Sequence, residues 1–359
     1  MDQQTKTHQP SPPLTTQRDA NERNFRPQTL EQFVGQSDLK KTLRLMLDAS
    51  RKRGHLLEHV IFYGGPGLGK TTLAGIIASE QGTRLHELAA PSITRPGELA
   101  QVLTVLQKGD VLFLDEIHAL KRESSELLYG AMEDFKVSIK PEQSDRPITL
   151  ALYPFTLVGA TTDFGLLPDP MRSRFGQSFY LQPYTLEELR QVVLRASDAL
   201  GFLMDEEALT GIAKRSRGTP RVALRLFRRC VDAATNTDLF IIDSELVEST
   251  MPILGLDTLG LEDADRKYLA ALVAVYKGGP TGPRSIASSA GLDLATVEHV
   301  VEPALLTAGL IARTPRGRRV TRSGYEHIKT FTPTPEIVNW RKVEDLDAAL
   351  TTNNDGNEE

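Results

Sequence analysis

Three short runs of consecutive apolar residues stand out in the first half of the chain: Val60-Ile-Phe-Tyr63, Val111-Leu-Phe-Leu114 and Phe155-Thr-Leu-Val-Gly-Ala160. Runs this short, without polar alternation, predict strands buried on both faces, as in a parallel sheet. Between them the period lengthens. Leu39, Leu43 and Leu47 recur every four residues, behind Ser37 or Asp38 as a helix cap. Strand and helix patterns alternate over residues 23–183, which predicts an α/β domain with helices on both faces of a parallel sheet. Segment 137–152 departs from this rhythm. Val137 and Ile139, then Ile148, Leu150 and Leu152, alternate around a polar turn at Glu142–Asp145, so a projecting β-hairpin is expected.

Residues 184–255 change to helix throughout. Thr185-Leu-Glu-Glu188 is a capping box, followed by Leu189, Val192, Val193 and Ala196 at helical spacing. Asp205 caps a second helix, and Gly218-Thr-Pro220 opens a third. Residues 256–330 form another unit. One helix carries Leu269, Leu272, Val273 and Tyr276. A pair of amphipathic segments then flanks Gly291, the later one carrying Val297, Val300, Val301, Leu305 and Leu306. A hairpin pattern over Ile311–Thr314 and Arg318–Thr321 follows, which makes a winged helix. The ends, 1–22 and 331–359, lack the apolar residues of a core and are expected to be disordered tails, with Trp340 unaccounted for.

Residues Gly64-Gly-Pro-Gly-Leu-Gly-Lys-Thr71 fill the pattern G-x-x-x-x-G-K-[ST] between an apolar strand and a helix. Glycine lets the backbone curl around a phosphate, with N–H groups pointing inward at a helix N-terminus. Lys70 would reach the β- and γ-phosphates, and the Thr71 hydroxyl would coordinate Mg²⁺. Asp115-Glu116 ends the second apolar strand, where a parallel sheet binds ligands. There Asp115 would hold Mg²⁺ through water and Glu116 would polarise an attacking water. Thr161-Thr162 end the third strand at the same edge. Arg172 and Arg174, in Pro170-Met-Arg-Ser-Arg-Phe175, are candidates for an arginine that completes a neighbouring subunit's site. Arg221 opens a helix after Gly218-Thr-Pro220 and could reach back to the phosphates.

Composition narrows the class. The chain has 359 residues, 40% of them hydrophobic and 25% charged, so two or three soluble domains are expected. Its one cysteine, Cys230, rules out an internal disulfide, fits a reducing cytoplasm, and belongs on a helix's core face. The net charge is −5, which does not mark a nucleic-acid binder, but Arg313, Arg316, Arg318, Arg319 and Arg322 crowd the wing with no acid among them. Arginines so placed are suited to DNA phosphates.

Phosphate loop, Asp115-Glu116, Thr162, Arg174 and Gly218-Thr-Pro-Arg221 together resemble the AAA+ ATPases. The wording of Phe25-Arg-Pro27, Val34-Gly-Gln36, Leu114-Asp-Glu-Ile-His118, Ala131-Met-Glu-Asp-Phe135, Phe155–Thr162, Arg174-Phe-Gly176 and Arg313–Arg318 is similar to the RuvB family. These are bacterial ATP-driven motors of Holliday-junction branch migration in recombination and repair. The resemblance runs over residues 24–330. It implies that Phe25 and Arg26 pack on the adenine, and that Gly67, Gly69, Lys70, Thr71 and Thr72 cradle the phosphates. It implies further nucleotide contacts from Glu133, Asp134, Phe135, Tyr184 and Arg221. By the same resemblance Thr162 is sensor 1, Arg221 is sensor 2, and Arg174 is the finger given to the next subunit. Arg313, Arg316 and Arg318 would contact DNA. Implied too are ATP and Mg²⁺, a homohexameric ring on double-stranded DNA, and the partners RuvA and RuvC.

Three positions depart from the family wording. Asp163-Phe-Gly165 stands for the usual Arg-Ala-Gly, and Gly65 for a proline. The hairpin tip, Lys140-Pro-Glu-Gln-Ser-Asp145, is shorter and polar where the family's docks on RuvA with apolar residues. An ATP-switched initiator or regulator that binds DNA would share the domain order. The intact Lys70, Asp115, Glu116 and Arg174 and the 313–318 wording favour the motor.

Overall fold

The computed structural model describes residues 26–139, 148–237 and 239–331. Phe25, the hairpin tip, both tails and Trp340 lie outside them. The chain divides into two compact units, Met1–Asp243 and Ser244–Glu359.

The first unit opens with α1 (Ser37–Arg53), β1 (Val60–Tyr63), α2 (Lys70–Gln81), β2 (Leu85–Ala89), α3 (Pro96–Val105) and β3 (Val111–Asp115). It continues through α4 (Arg122–Glu133), β4 (Lys136–Ile139), β5 (Ile148–Ala151), β6 (Thr156–Thr161), α5 (Asp169–Arg172) and β7 (Gln177–Tyr180). Five strands form one parallel sheet in the order β2-β3-β6-β1-β7. The three apolar runs are its three inner strands, and β6 is buried along its whole length. The edge strands β2 and β7 are only partly buried and were not legible as apolar runs. β4 and β5 pair antiparallel, Val137 opposite Leu150, as the expected hairpin requires.

Because β6 lies between β1 and β3, three chain segments leave the same sheet edge side by side. They are the loop after Tyr63, the pair Asp115-Glu116, and Thr161-Thr162. A core of Ile61, Leu112, Leu114, Leu128, Phe155 and Leu157 fixes these strands beneath α3 and α4.

The cap expected at Ser37 or Asp38 does not form. α1 begins at Ser37 behind Gln36, which is left-handed (φ 52°) and makes no side-chain cap. The Gln36 amide is engaged elsewhere: its Nε2 donates to Gln182 O (2.7 Å) and its Oε1 accepts from Gln182 N–H (3.1 Å).

Three helices complete the unit: α6 (Leu186–Leu200), α7 (Glu206–Arg215) and α8 (Pro220–Asn236), with a two-stranded pair, β8 (Leu203–Met204) and β9 (Ile241–Ile242). The Thr185/Glu188 capping box and the Asp205 cap both form. Cys230 faces the core of α8, where burial pushes its thiol up to about 12, so it is an inert packing residue.

The second unit comprises α9 (Ser244–Ile253), α10 (Asp263–Ala274) and α11 (Pro283–Ala290). Next comes a continuous helix, α12, built from Leu294–Thr296, a π-helical turn Val297–Val301, and Glu302–Thr307. β10 (Ile311–Thr314), β11 (Gly317–Val320) and α13 (Arg322–Lys329) close it. Pro303 has no N–H for the His299 carbonyl, and the helix widens just before it. The apolar stripe then steps through Val297, Val301 and Leu305, and Val300 turns out to solvent, contrary to the helical reading of the sequence. Tyr276 lies past the end of α10, its hydroxyl bonded to Ser285 O (2.9 Å) and Ser289 Oγ (2.8 Å). Helix, turn, helix and hairpin together make the expected winged helix. Among the described residues no helix is long and apolar enough to cross a membrane.

Candidate functional site

The loop after β1 is shaped by glycine. Gly67 has φ +76°, and a Cβ on it would lie 2.9 Å from both Arg221 Cβ and Thr219 Cγ2. Gly69 (φ +104°) stands at the N-terminus of α2 with no side-chain cap, so the first-turn N–H groups are left for an anion. Lys70 is 7% exposed, and its ammonium donates to Gly64 O (2.8 Å) and Gly65 O (3.0 Å). Burial lowers its pKa, Glu116 and Asp115 act the other way, and Arg221 adds to the lowering. A desolvated cation so placed gains from a phosphate.

Asp115 ends β3, and its Oδ1 accepts the N–H of Glu116 (3.0 Å). Glu116 is left-handed (φ 49°), a conformation that costs a non-glycine residue free energy and concentrates at functional sites. Its Oε2 accepts both the N–H and the hydroxyl of Thr162, each at 3.1 Å. His118 Nδ1 is 3.3 Å from the same oxygen and 2.8 Å from Thr161 Oγ1. Thr161 is fully buried and also accepts from Asp163 N–H (3.0 Å), so Thr162, not Thr161, faces the acid.

A cavity of about 500 Å³ opens over these groups. Arg26, Gly67, Gly69, Lys70, Thr71, Thr72, Asp115, Glu116, Tyr184 and Arg221 of the sequence-derived set line it. Tyr184 is held over the loop, its hydroxyl donating to Leu68 O (3.4 Å); burial, then the charge of Glu188, raise its pKa. Pro27, Phe33, Val34, Val192 and Leu224 add an apolar slot, and Arg195 and Arg228 two further cations. Sequence reasoning missed these last four α6 and α8 residues. The signal was there: Arg221, Leu224 and Arg228 share one face of α8 at helical spacing.

Glu133, Asp134, Phe135 and Arg174 do not line this cavity. Phe135 packs edge-on against Phe155 and His59. Arg174 Nη2 pairs with Glu133 Oε1 (3.0 Å), and its guanidinium lies over the ring of Tyr129, 4.5 Å from the centroid. Phe164, at the position that departs from the family wording, stacks on Tyr63 (4.3 Å), and the Arg172 guanidinium lies over its ring, 5.8 Å from the centroid.

In the second unit Arg313 and Arg318 face each other across the wing, while Arg316 sits at its turn. Arg313 and Arg316 are exposed. Arg318 is tied inward: its Nε donates to Glu302 Oε2 (2.8 Å), and Glu302, 1% exposed, also accepts the Tyr268 hydroxyl (2.8 Å).

A parallel sheet with a phosphate loop, paired acids and a threonine bonded to one of them at the same edge, a helical lid over the cavity and a winged helix define a AAA+ P-loop ATPase. Residues 25–181 match the Holliday junction DNA helicase RuvB P-loop domain, 184–257 the RuvB AAA lid domain, and 258–329 the RuvB C-terminal winged helix domain. The chain belongs to the RuvB family. It is 46% identical over 323 residues to the Holliday junction branch migration complex subunit RuvB of Thermotoga maritima, covering 89% of this chain and 97% of that one. The corresponding subunit of Kosmotoga olearia is 48% identical over 308 residues, 85% of this chain and 90% of its own. The solved Thermotoga maritima RuvB Holliday junction branch migration motor superposes with a TM-score of 0.75 at 46% identity, covering 85% and 98% of the two chains.

Proposed function

We propose that this chain is an ATP-hydrolysing DNA motor subunit that drives branch migration of Holliday junctions. The observation that carries the reading is the meeting of Lys70, Asp115 and Glu116 in one cavity, with Thr162 behind it on the Glu116 carboxylate, under a lid that brings Arg221 against Gly67. The adenine enters the slot of Pro27, Phe33, Val34, Val192 and Leu224, with Arg26 beside it and the phosphates on the loop. Glu116 acts as general base on the attacking water, and Thr162 holds its carboxylate in place. Thr71 and Asp115 are hard oxygen donors on the cavity wall, few enough to suit Mg²⁺; they would hold the ion, which would supply neutralisation of the charge that develops on the phosphates. Arg174 of one subunit completes the site of the next, so the working form is a ring, a homohexamer by the family resemblance. The products stay on the loop until the lid, carrying Arg221, moves.

Arg313 and Arg316 bind duplex phosphates, with Arg318 beneath them. α12, the helix a site-specific regulator would use for base contacts, carries Glu298 and no Lys or Arg. That composition favours a motor indifferent to sequence over an initiator. RuvA and RuvC are the partners that the family resemblance implies, in the cytoplasm; the polar tip of the β4–β5 hairpin departs from the apolar surface on which the family's hairpin docks RuvA. The test is a synthetic four-way junction with ATP, with and without RuvA. Branch migration that disappears in Glu116→Gln supports the motor, and normal migration by that variant overturns it. Binding of the wild type to duplex DNA is expected to weaken steeply as salt rises.

A further inference from the structure

The guanidinium of Arg174 is held inside its own subunit. Nη1 donates to Pro170 O, Nη2 pairs with Glu133 Oε1 (3.0 Å), and Cζ lies 4.5 Å from the centre of the Tyr129 ring. Nε is buried and has no hydrogen-bond partner among the described residues. The arginine side chain is 20% exposed and that of Glu133 57%. Glu133 is therefore the contact on the solvent side, the one an incoming phosphate can replace. The ring is the fixed contact. Tyr129 sits on α4, and its apolar body packs against the core beneath the sheet. A guanidinium held over an aromatic face by the ring's negative potential loses freedom to turn, and with it the direction of its N–H fork is set. Nothing in the cavity needs Tyr129, which does not line it.

We infer that Tyr129 is a positioning residue for the arginine that completes the neighbouring subunit's ATP site. Its ring sets the direction of the Arg174 N–H fork, and Glu133 neutralises that cation until a neighbour's γ-phosphate takes its place. The inference rests on the reading of Arg174 as a residue that acts in the adjacent subunit.

Mixed rings test both and separate them. Glu116→Gln subunits and Arg174→Ala subunits are each inactive alone. Mixed, they form interfaces with an intact Glu116 on one side and an intact Arg174 on the other, and ATPase activity returns. No return of activity would overturn the reading of Arg174, and the role of Tyr129 with it. Tyr129→Leu is then placed in one partner at a time. In the Glu116→Gln subunit, which supplies the arginine, it lowers the regained kcat by about tenfold with KM unchanged. Tyr129→Phe in that subunit restores the rate, since the aromatic face is kept. In the Arg174→Ala subunit, Tyr129→Leu leaves the regained rate as it was, which also shows that the variant folds and binds nucleotide. Should Leu not fold there, Tyr129→Met replaces it. Equal losses from both placements by a folded variant, or no loss from either, would overturn the inference.

Discussion

Thr162 donates its backbone N–H and its side-chain hydroxyl to the same oxygen of Glu116, both at 3.1 Å. The two groups end neighbouring strands, β6 and β3, so the sheet itself sets their spacing. One residue thus reads the position of the Glu116 carboxylate twice, and only one of its two contacts depends on the side chain. Thr162→Val removes the hydroxyl, keeps the N–H and preserves the shape of a strand residue. The expected result is a fall in kcat for ATP of about 10²-fold, with ADP affinity little changed. Steady-state ATPase assays and nucleotide titration measure the two separately. An equal loss of nucleotide affinity would mean that Thr162 shapes the pocket instead of holding the acid.

Gly67→Ala acts on the lid through the loop. The added methyl would meet Arg221 and Thr219 at 2.9 Å, in a backbone conformation (φ +76°) that costs alanine about 1–2 kcal/mol. Arg221 N–H also donates to Gly67 O (3.4 Å), so the loop cannot shift without moving the start of α8. Weaker ATP binding is expected, with the parallel sheet still folded. Isothermal titration together with a thermal melt reads both. Unaltered affinity would show that the lid does not need to rest on the loop.

How much of this was legible depended on whether a segment faced one environment or two. The inner strands β1, β3 and β6 are buried on both faces, so their apolar runs announced them. The edge strands β2 (Leu-His-Glu-Leu-Ala) and β7 (Gln-Ser-Phe-Tyr) meet water on one side and blend into the loops around them. The phosphate loop and the paired acids were readable because a contiguous motif carries its own geometry. Arg195 was not, because the cavity brings it in from a different helix of the lid than the one that carries Arg221 and Arg228. Nor could a string of five arginines show that one of them is anchored on Glu302.

The second unit carries an acid-sensitive fastening. Asp257 is 8% exposed, and burial alone would raise its pKa. The hydrogen bond from His327 (2.8 Å) and those from the N–H groups of Leu261 (2.8 Å) and Leu259 (2.9 Å) outweigh burial and hold it below the usual carboxylate range. A carboxyl lowered by folding contributes its stability in full above its unfolded pKa, about 4, and loses it as pH falls through the folded value. Thermal melts of the wild type should drop through that acid window. Asp257→Asn should be less stable at neutral pH and its melting temperature flatter below pH 4. A wild-type-like acid profile in that variant would rule out Asp257 as the group responsible.

Arg318 and Arg313 are opposite each other on the wing but answer to different partners. Arg318 is the cation for a glutamate that is 1% exposed, while Arg313 stands in solvent. Arg318→Ala leaves Glu302 buried without its counter-charge, a loss expected to cost about 3–5 kcal/mol in this unit. Arg313→Ala should leave the melting temperature unchanged and reduce the salt dependence of DNA binding by about one released counterion. The difficulty is that Arg318→Ala weakens DNA binding whether it removes a phosphate contact or merely loosens the wing. Glu302→Gln in the Arg318→Ala background separates the two, because a neutral amide still accepts from Tyr268 and no longer needs a cation. Stability should then recover. If DNA affinity recovers with it, Arg318 is a brace for the wing. If affinity stays low in a stable double variant, Arg318 also touches the duplex, and the ion pair with Glu302 is what aims it there.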